Sequence, residues 1–96
     1  MLFIATCTDK PDSAAVRAET RPAHLAYLGS LASRVKVGGA LLSADQKSVL
    51  GSLLIFEAAD EAEVAALLAE DPYAKARLFA SVDIKPWRQA VGVALS

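Results

Sequence analysis

Val49-Leu50-Gly51-Ser52-Leu53-Leu54-Ile55-Phe56-Glu57 reads as a strand with no polar face. From Leu50 to Phe56 apolar side chains occupy both alternating sides, the pattern of a strand covered above and below. Ahead of it, Ala44–Ser48 is polar and turn-like, and Val35–Ser43 (VKVGGALLS) forms a further strand, so the two pair as a hairpin. Leu2–Thr8 (LFIATCT) is a second run apolar on both faces, ended by Asp9-Lys10-Pro11-Asp12. Val82, Ile84 and Trp87 mark a last strand, with Asp83 and Lys85 alternating between them, so this strand has a charged face and belongs at an edge.

Helical patterns fill the gaps. Asp12 or Ser13 caps a helix that starts at Ala14 and continues through Leu25, Leu28, Leu31 and Val35; Pro22 either kinks it or opens a second helix capped by Thr20. Asp60 with Glu63 resembles a capping box ahead of Val64, Leu67 and Leu68. Asp71-Pro72 ends that helix, and Asp71 can cap a short one after it. The order strand, helix, strand, strand, helix, strand is that of an α+β ferredoxin-like βαββαβ domain over residues 1–96, with an antiparallel sheet, the first and third strands central, and the helices on one face. The apolar second face needs a cover. A second copy of the chain, giving a homodimer, is the simplest, with Leu54 and Phe56 as the residues that test it; the tail Gln89–Ser96 folding back is the alternative.

Composition narrows the function. The chain has 96 residues, 54% hydrophobic and 22% charged, with ten basic and eleven acidic side chains for a net charge of -1. A disordered chain is excluded, and there is no basic excess to bind nucleic acid. One cysteine and one histidine leave no disulfide framework and no multi-histidine metal centre within a chain. No run spans a bilayer and the opening residues are not a signal peptide, so the expected location is cytoplasmic, away from membranes.

His24 is the default acid/base group, because imidazole is the only side chain here that ordinarily titrates near neutrality. At about 100° per residue Arg17, Arg21, His24, Leu28 and Leu31 share one helical stripe, and His24 enters an apolar arc formed by Leu25, Leu28, Leu31 and Ala32. A half-buried histidine bonded to backbone, beside arginines that snorkel to water, accounts for the same pattern. Asp71 is either a helix cap or a carboxylate that orients an imidazole; spacing alone does not bring it to His24. Gly38-Gly39 lacks a phosphate-binding pattern and suggests close backbone packing. Cys7 reads as a small buried hydrophobe. Ser43 and Ser52 lie on or beside strands without further signal. Tyr27, Tyr73 and Trp87 read equally as core, interface or ligand contacts, and Asp9, Asp12, Glu61 and Glu70 as solvated groups.

MLFIATCTDK, RPAHLAYL, VGGALL, GSLLIFEA, DEAEVAALLAEDPY and VDIKPWR, in this order over almost the whole chain, resemble the YciI-like (YCII-related) family. RxxHLxYL from Arg21 to Leu28, followed by DPY from Asp71 to Tyr73, is the most specific part. The resemblance implies a ferredoxin-like subunit in a dimeric α/β barrel, and a histidine–aspartate pair in a cleft that maps onto His24 and Asp71. Many members have glycine-proline where this chain has Gly39-Ala40, so the pocket rim departs there. One member with an assigned reaction is a dehydrochlorinase of chlorinated hydroxyquinols. The expected function is therefore a small acid/base enzyme of the lyase or isomerase type, with no cofactor and no metal, acting on a small organic molecule. His24 would move the proton, Asp71 hold its tautomer and Arg21 bind an anionic or enolate oxygen, with Arg17 the second candidate for that role. A non-catalytic dimeric module binding a small ligand or a partner, and a relative of the cofactor-independent barrel monooxygenases, are the alternatives.

Overall fold

The computed structural model describes residues 1–95. Its elements are β1 (Leu2–Asp9), α1 (Ala14–Ser30), a 3-10 turn (Ala32–Arg34), β2 (Val35–Leu42), β3 (Val49–Glu57), α2 (Glu61–Ala69), α3 (Pro72–Lys75) and β4 (Phe79–Trp87). The four strands form one sheet in the order β2-β3-β1-β4, antiparallel at every junction. This is the ferredoxin-like α+β arrangement, the subunit fold of dimeric α/β barrels, with β1 and β3 central as their two-sided apolar pattern requires.

Register decides which side chains meet the helices. Phe3 pairs with Phe56, Ala5 with Leu54 and Cys7 with Ser52, and all six are buried on the helix-covered side. With Leu31, Ala58, Val64 and Leu68 the apolar members of this set make up the core. Leu54 and Phe56, expected on the outer face, are therefore inner residues, each 1% exposed. The outer face carries Leu2, Ile4 and Thr6 of β1 and Leu53 and Ile55 of β3 instead, because a one-residue difference in a strand changes the face. Trp87 pairs with Leu2 and shares that outer side, opposite to Val82 and Ile84.

A register shift between Thr8 and Asp9 has a local consequence. Thr8 pairs with Ser81, but Asp9 pairs with Phe79. The irregularity lets Phe79, odd-numbered like the outer Ser81 and Asp83, turn inward and pack against the core. It also starts β4 at Phe79, earlier than the Val82–Trp87 pattern suggests. At Gly51 any Cβ would run into the carbonyl of Cys7 on the neighbouring strand, so the close approach of β1 and β3 requires glycine there. A Cβ at Gly38 would lie 2.8 Å from Leu54 Cδ2, whereas at Gly39 it would meet open space.

Pro22 lies inside α1, which remains one helix of 17 residues. Its only buried residue is His24, while Leu25 is 46% exposed. The inward stripe thus runs through His24, Tyr27 and Leu28 to Leu31, rotated away from Leu25. Ser13 occupies the cap position, but its hydroxyl donates to the Pro11 carbonyl at 3.3 Å instead of accepting from the helix. Asp60 caps α2 by accepting from the Glu63 N–H at 2.8 Å, and Glu63 reaches back to the Ala59 N–H at 3.1 Å, a capping box displaced by one residue. Asp71 caps α3. Among the described residues no helix is long and apolar enough to cross a membrane.

Candidate active site

The break between α2 and α3 places Asp71 under the buried stripe of α1. Asp71 is 0% exposed and its two oxygens lie 2.8 and 3.0 Å from His24 Nδ1. An ionised carboxylate only accepts hydrogen bonds, so Nδ1 carries the proton in the neutral ring and Nε2 presents its lone pair. The same Asp71 Oδ1 accepts the Tyr73 N–H at 2.9 Å. One side chain thus caps α3 and contacts His24 Nδ1, 47 positions away.

Tyr73, which the sequence leaves open as a core, interface or ligand contact, lies at the centre of the cluster. Its ring is stacked on the His24 ring, with centroids 3.8 Å apart and planes 16° apart. The Arg17 guanidinium lies 4.7 Å from its centroid, and Phe79 meets it edge-on at 6.1 Å. Arg17 and His24 are two turns apart on α1, about 10 Å of rise, and the tyrosine ring stands between them. Burial raises the Tyr73 phenol above its ordinary range, against the opposing pull of Arg17, so it is a donor at neutral pH.

Arg17 is held in turn. Its Nε donates to Asp9 Oδ2 at 2.7 Å and its Nη2 to Asp9 Oδ1 at 2.8 Å and to Ser52 Oγ at 2.9 Å. These hydrogen bonds to Asp9 raise the guanidinium above its already high ordinary value. Asp9 is not a solvated group: its side chain is 7% exposed, because it points inward at the end of β1 beside the register shift. Arg17, the second candidate in the sequence, is thus the arginine built into the cluster. Arg21 is exposed and has no side-chain hydrogen bond among the described residues. The signals for Asp9 and Tyr73 are faint: an acid closing an apolar strand, and an aromatic two residues beyond a candidate acid.

Cys7 lies on the same inner face, and burial, with smaller contributions from Asp71 and Asp9, pushes its thiol up to about 12. It is inert as a nucleophile near neutrality. No group of three or more histidine, cysteine, aspartate or glutamate side chains among the described residues is arranged to hold a metal ion. Two surface concavities, of about 510 and 350 Å³, lie elsewhere. The first is at the β1–β4 end around Met1, Pro86 and Trp87; the second lies between α2 and β4 and is lined by apolar residues, Phe79, Val82 and Ile84 among them. Neither includes His24 or Asp71.

The chain is 40% identical to 5-chloro-2-hydroxyhydroquinone dehydrochlorinase from Burkholderia phenoliruptrix, solved in complex with 2,5-dihydroxybenzoquinone; the match covers 94% of this chain and 96% of that one, with a TM-score of 0.86. A variant of SnoaB, a cofactor-independent oxygenase from Streptomyces nogalater, shares the fold at 12% identity, with 94% of each chain covered and a TM-score of 0.56. A protein from Mycobacterium tuberculosis does so at 16% identity, covering 94% of this chain and 97% of its own, with a TM-score of 0.53. No curated protein sequence matches the chain. The model of the YCII-related domain matches residues 1–88, and the chain belongs to that family.

Proposed function

We propose that the protein is a homodimeric acid/base enzyme of the lyase type that acts on a small, oxygen-rich cyclic molecule through His24 and Asp71, without a cofactor. The observation that carries this reading is the orientation of His24: both oxygens of a buried carboxylate bind Nδ1, which directs the lone pair of Nε2 away from the pair and holds one tautomer. Such a nitrogen accepts a proton from carbon or oxygen, and the nearby carboxylate stabilises the imidazolium that results. In an elimination from a chlorinated quinol, the keto tautomer that carries hydrogen and chlorine on one ring carbon gives up a hydroxyl proton to Nε2, the O–H electron pair forms a C=O bond, the ring pairs shift by one position, and chloride departs with its own pair. The 40% identity to a dehydrochlorinase supports that reaction class.

The test is chloride release from 5-chloro-2-hydroxyhydroquinone, the compound named for the similar enzyme. Turnover that is abolished in His24→Ala, with the variant folded, supports the reading; no turnover by the wild type of this or related halogenated quinols removes it. A binding module without catalysis is the second reading, and the position of the two concavities away from His24 favours it. Saturable binding of the quinol with no chemical conversion would establish that alternative.

A further inference from the structure

One polar atom of the buried cluster, His24 Nε2, is left without a partner among the described residues. The Tyr73 hydroxyl faces the Arg17 guanidinium, which acts on its oxygen as a hydrogen-bond donor and leaves the phenol's own proton to be donated elsewhere. Among the described residues no buried side-chain nitrogen or oxygen lacks a partner, so Nε2 sits where solvent reaches it, at the edge of a residue only 6% exposed. Because the two rings are stacked with centroids 3.8 Å apart, their polar tips are separated by no more than the length of a small aromatic molecule.

We propose that the Tyr73 hydroxyl is a catalytic group of this site, donating a hydrogen bond to the oxyanion that forms on the small molecule as His24 takes its proton. This rests on the acid/base reading above and adds the second half of its chemistry. When a C–H bond next to a carbonyl breaks, the proton goes to Nε2, the C–H pair forms a C=C bond and the carbonyl pair moves to oxygen. The oxygen then carries the charge that a fixed donor stabilises. Return of the proton from His24 completes an isomerisation; loss of a leaving group with its electron pair completes an elimination. The phenol is suited to donate, since burial keeps it protonated. Its ring is fixed by His24, Arg17 and Phe79, so no reorganisation is needed as charge develops. Arg17 is by this account a positioning residue. Asp9 and Ser52 occupy its Nε and Nη2, and its charge and its hydrogen bonding to the phenol oxygen strengthen the phenol as a donor.

Absorbance titration with 2,5-dihydroxybenzoquinone, a vinylogous acid that binds as an anion, tests the proposal on wild type, Tyr73→Phe and Tyr73→Leu. Phenylalanine keeps the stacked ring and removes only the donor. The expected result is a roughly ten- to hundredfold loss of affinity in Tyr73→Phe, with the His24 imidazole NMR signals unmoved, and displaced His24 signals only in Tyr73→Leu. Equal affinity of wild type and Tyr73→Phe, or no binding by the wild type, overturns the proposal. Chloride release measured alongside keeps the two ideas separate. Binding that depends on Tyr73 without conversion leaves the donor standing and removes the acid/base reaction, whereas conversion that is indifferent to Tyr73→Phe does the reverse.

Discussion

Asp71 holds two structures at once: Oδ1 receives both the imidazole N–H and the Tyr73 amide. Asparagine caps a helix about as well as aspartate, but one of its two side-chain positions is a donor and cannot accept from Nδ1. Asp71→Asn is therefore expected to stay folded while turnover drops by roughly three to four orders of magnitude, as when a dyad carboxylate becomes an amide. Nitrogen NMR of the imidazole checks the cause: the proton should no longer be confined to Nδ1, and an unchanged tautomer would reduce Asp71 to a cap. Cys7 supplies a prediction with a sign. Its folded-state pKa of about 12 lies above the value near 8.5 of an unfolded thiol, so the native state keeps a proton that the unfolded chain releases. The stability linked to Cys7 is complete below about pH 8.5 and is lost as pH rises toward 12; Tyr27 and Tyr73, both raised by burial, act in the same direction at higher pH. Urea midpoints from pH 8 to 11 should fall for the wild type and fall less for Cys7→Ala, and native thiol labelling should be slow throughout. Among the site residues, His24 and Asp71 were legible because an imidazole on an apolar stripe and an acid before proline are both exceptional. Asp9 and Tyr73 were not, because their roles depend on a register shift and a stacking contact that no local pattern encodes.

Between elements, the Arg17–Asp9 pair ties α1 to the end of β1, and Ser52 extends the tie to β3. The side chains are only 11% and 7% exposed, so the pair is largely, though not wholly, withdrawn from water. Arg17→Met would leave Asp9 charged and unmatched, an expected loss of about 3–5 kcal/mol, whereas replacing both partners by apolar side chains should recover much of it; equal destabilisation by the single and double changes would show that the pair itself contributes the stability. Gly51 and Gly39 separate two kinds of strand glycine. Gly51→Ala drives a methyl into the Cys7 carbonyl and should cost about 1–3 kcal/mol or more, read as a lower urea midpoint, while Gly39→Ala meets open space and should leave chain stability within about 0.5 kcal/mol. The element order was readable from the two-faced apolar runs and the Asp-Pro break. The single α1 was left open because Pro22 is compatible with a kink or a boundary, and tertiary packing of His24, Tyr27 and Leu31 decides for one helix. The identity of the outer-face residues was not readable, because alternation in an all-apolar strand marks no side as the inner one.

At the scale of the whole molecule the sheet is covered by helices on one side only, and the other side presents Ile4, Leu53, Ile55, Val37 and Leu41 around the two central strands. Val37 is 39% exposed in the isolated chain. Val91 and Val93 of the C-terminal segment are 85% and 90% exposed, so the tail does not bury itself; instead its turn is closed by Gln89, whose amide donates to the Val91 and Val93 carbonyls. An apolar sheet face with its charged residues at the margins, Asp83 and Lys85 along β4 and Glu57 at the end of β3 opposite Leu2, has the core-and-rim composition of a subunit interface. Sedimentation should therefore give about twice the 10.1 kDa chain mass. Register supplies the control that separates assembly from folding. Val37→Glu and Leu53→Glu place charge on the outer face and should yield folded monomers, since neither side chain enters the helix-covered core. Leu54→Ser, one position along β3 and 1% exposed on the inner face, should instead lower stability by about 2–5 kcal/mol whatever the oligomeric state. A wild-type monomer, or a dimer indifferent to both glutamates, would place the interface elsewhere. If the outer-face glutamates yield monomers that still bind quinone, the His24–Tyr73 site, which lies on the opposite side of the sheet, is complete within one chain.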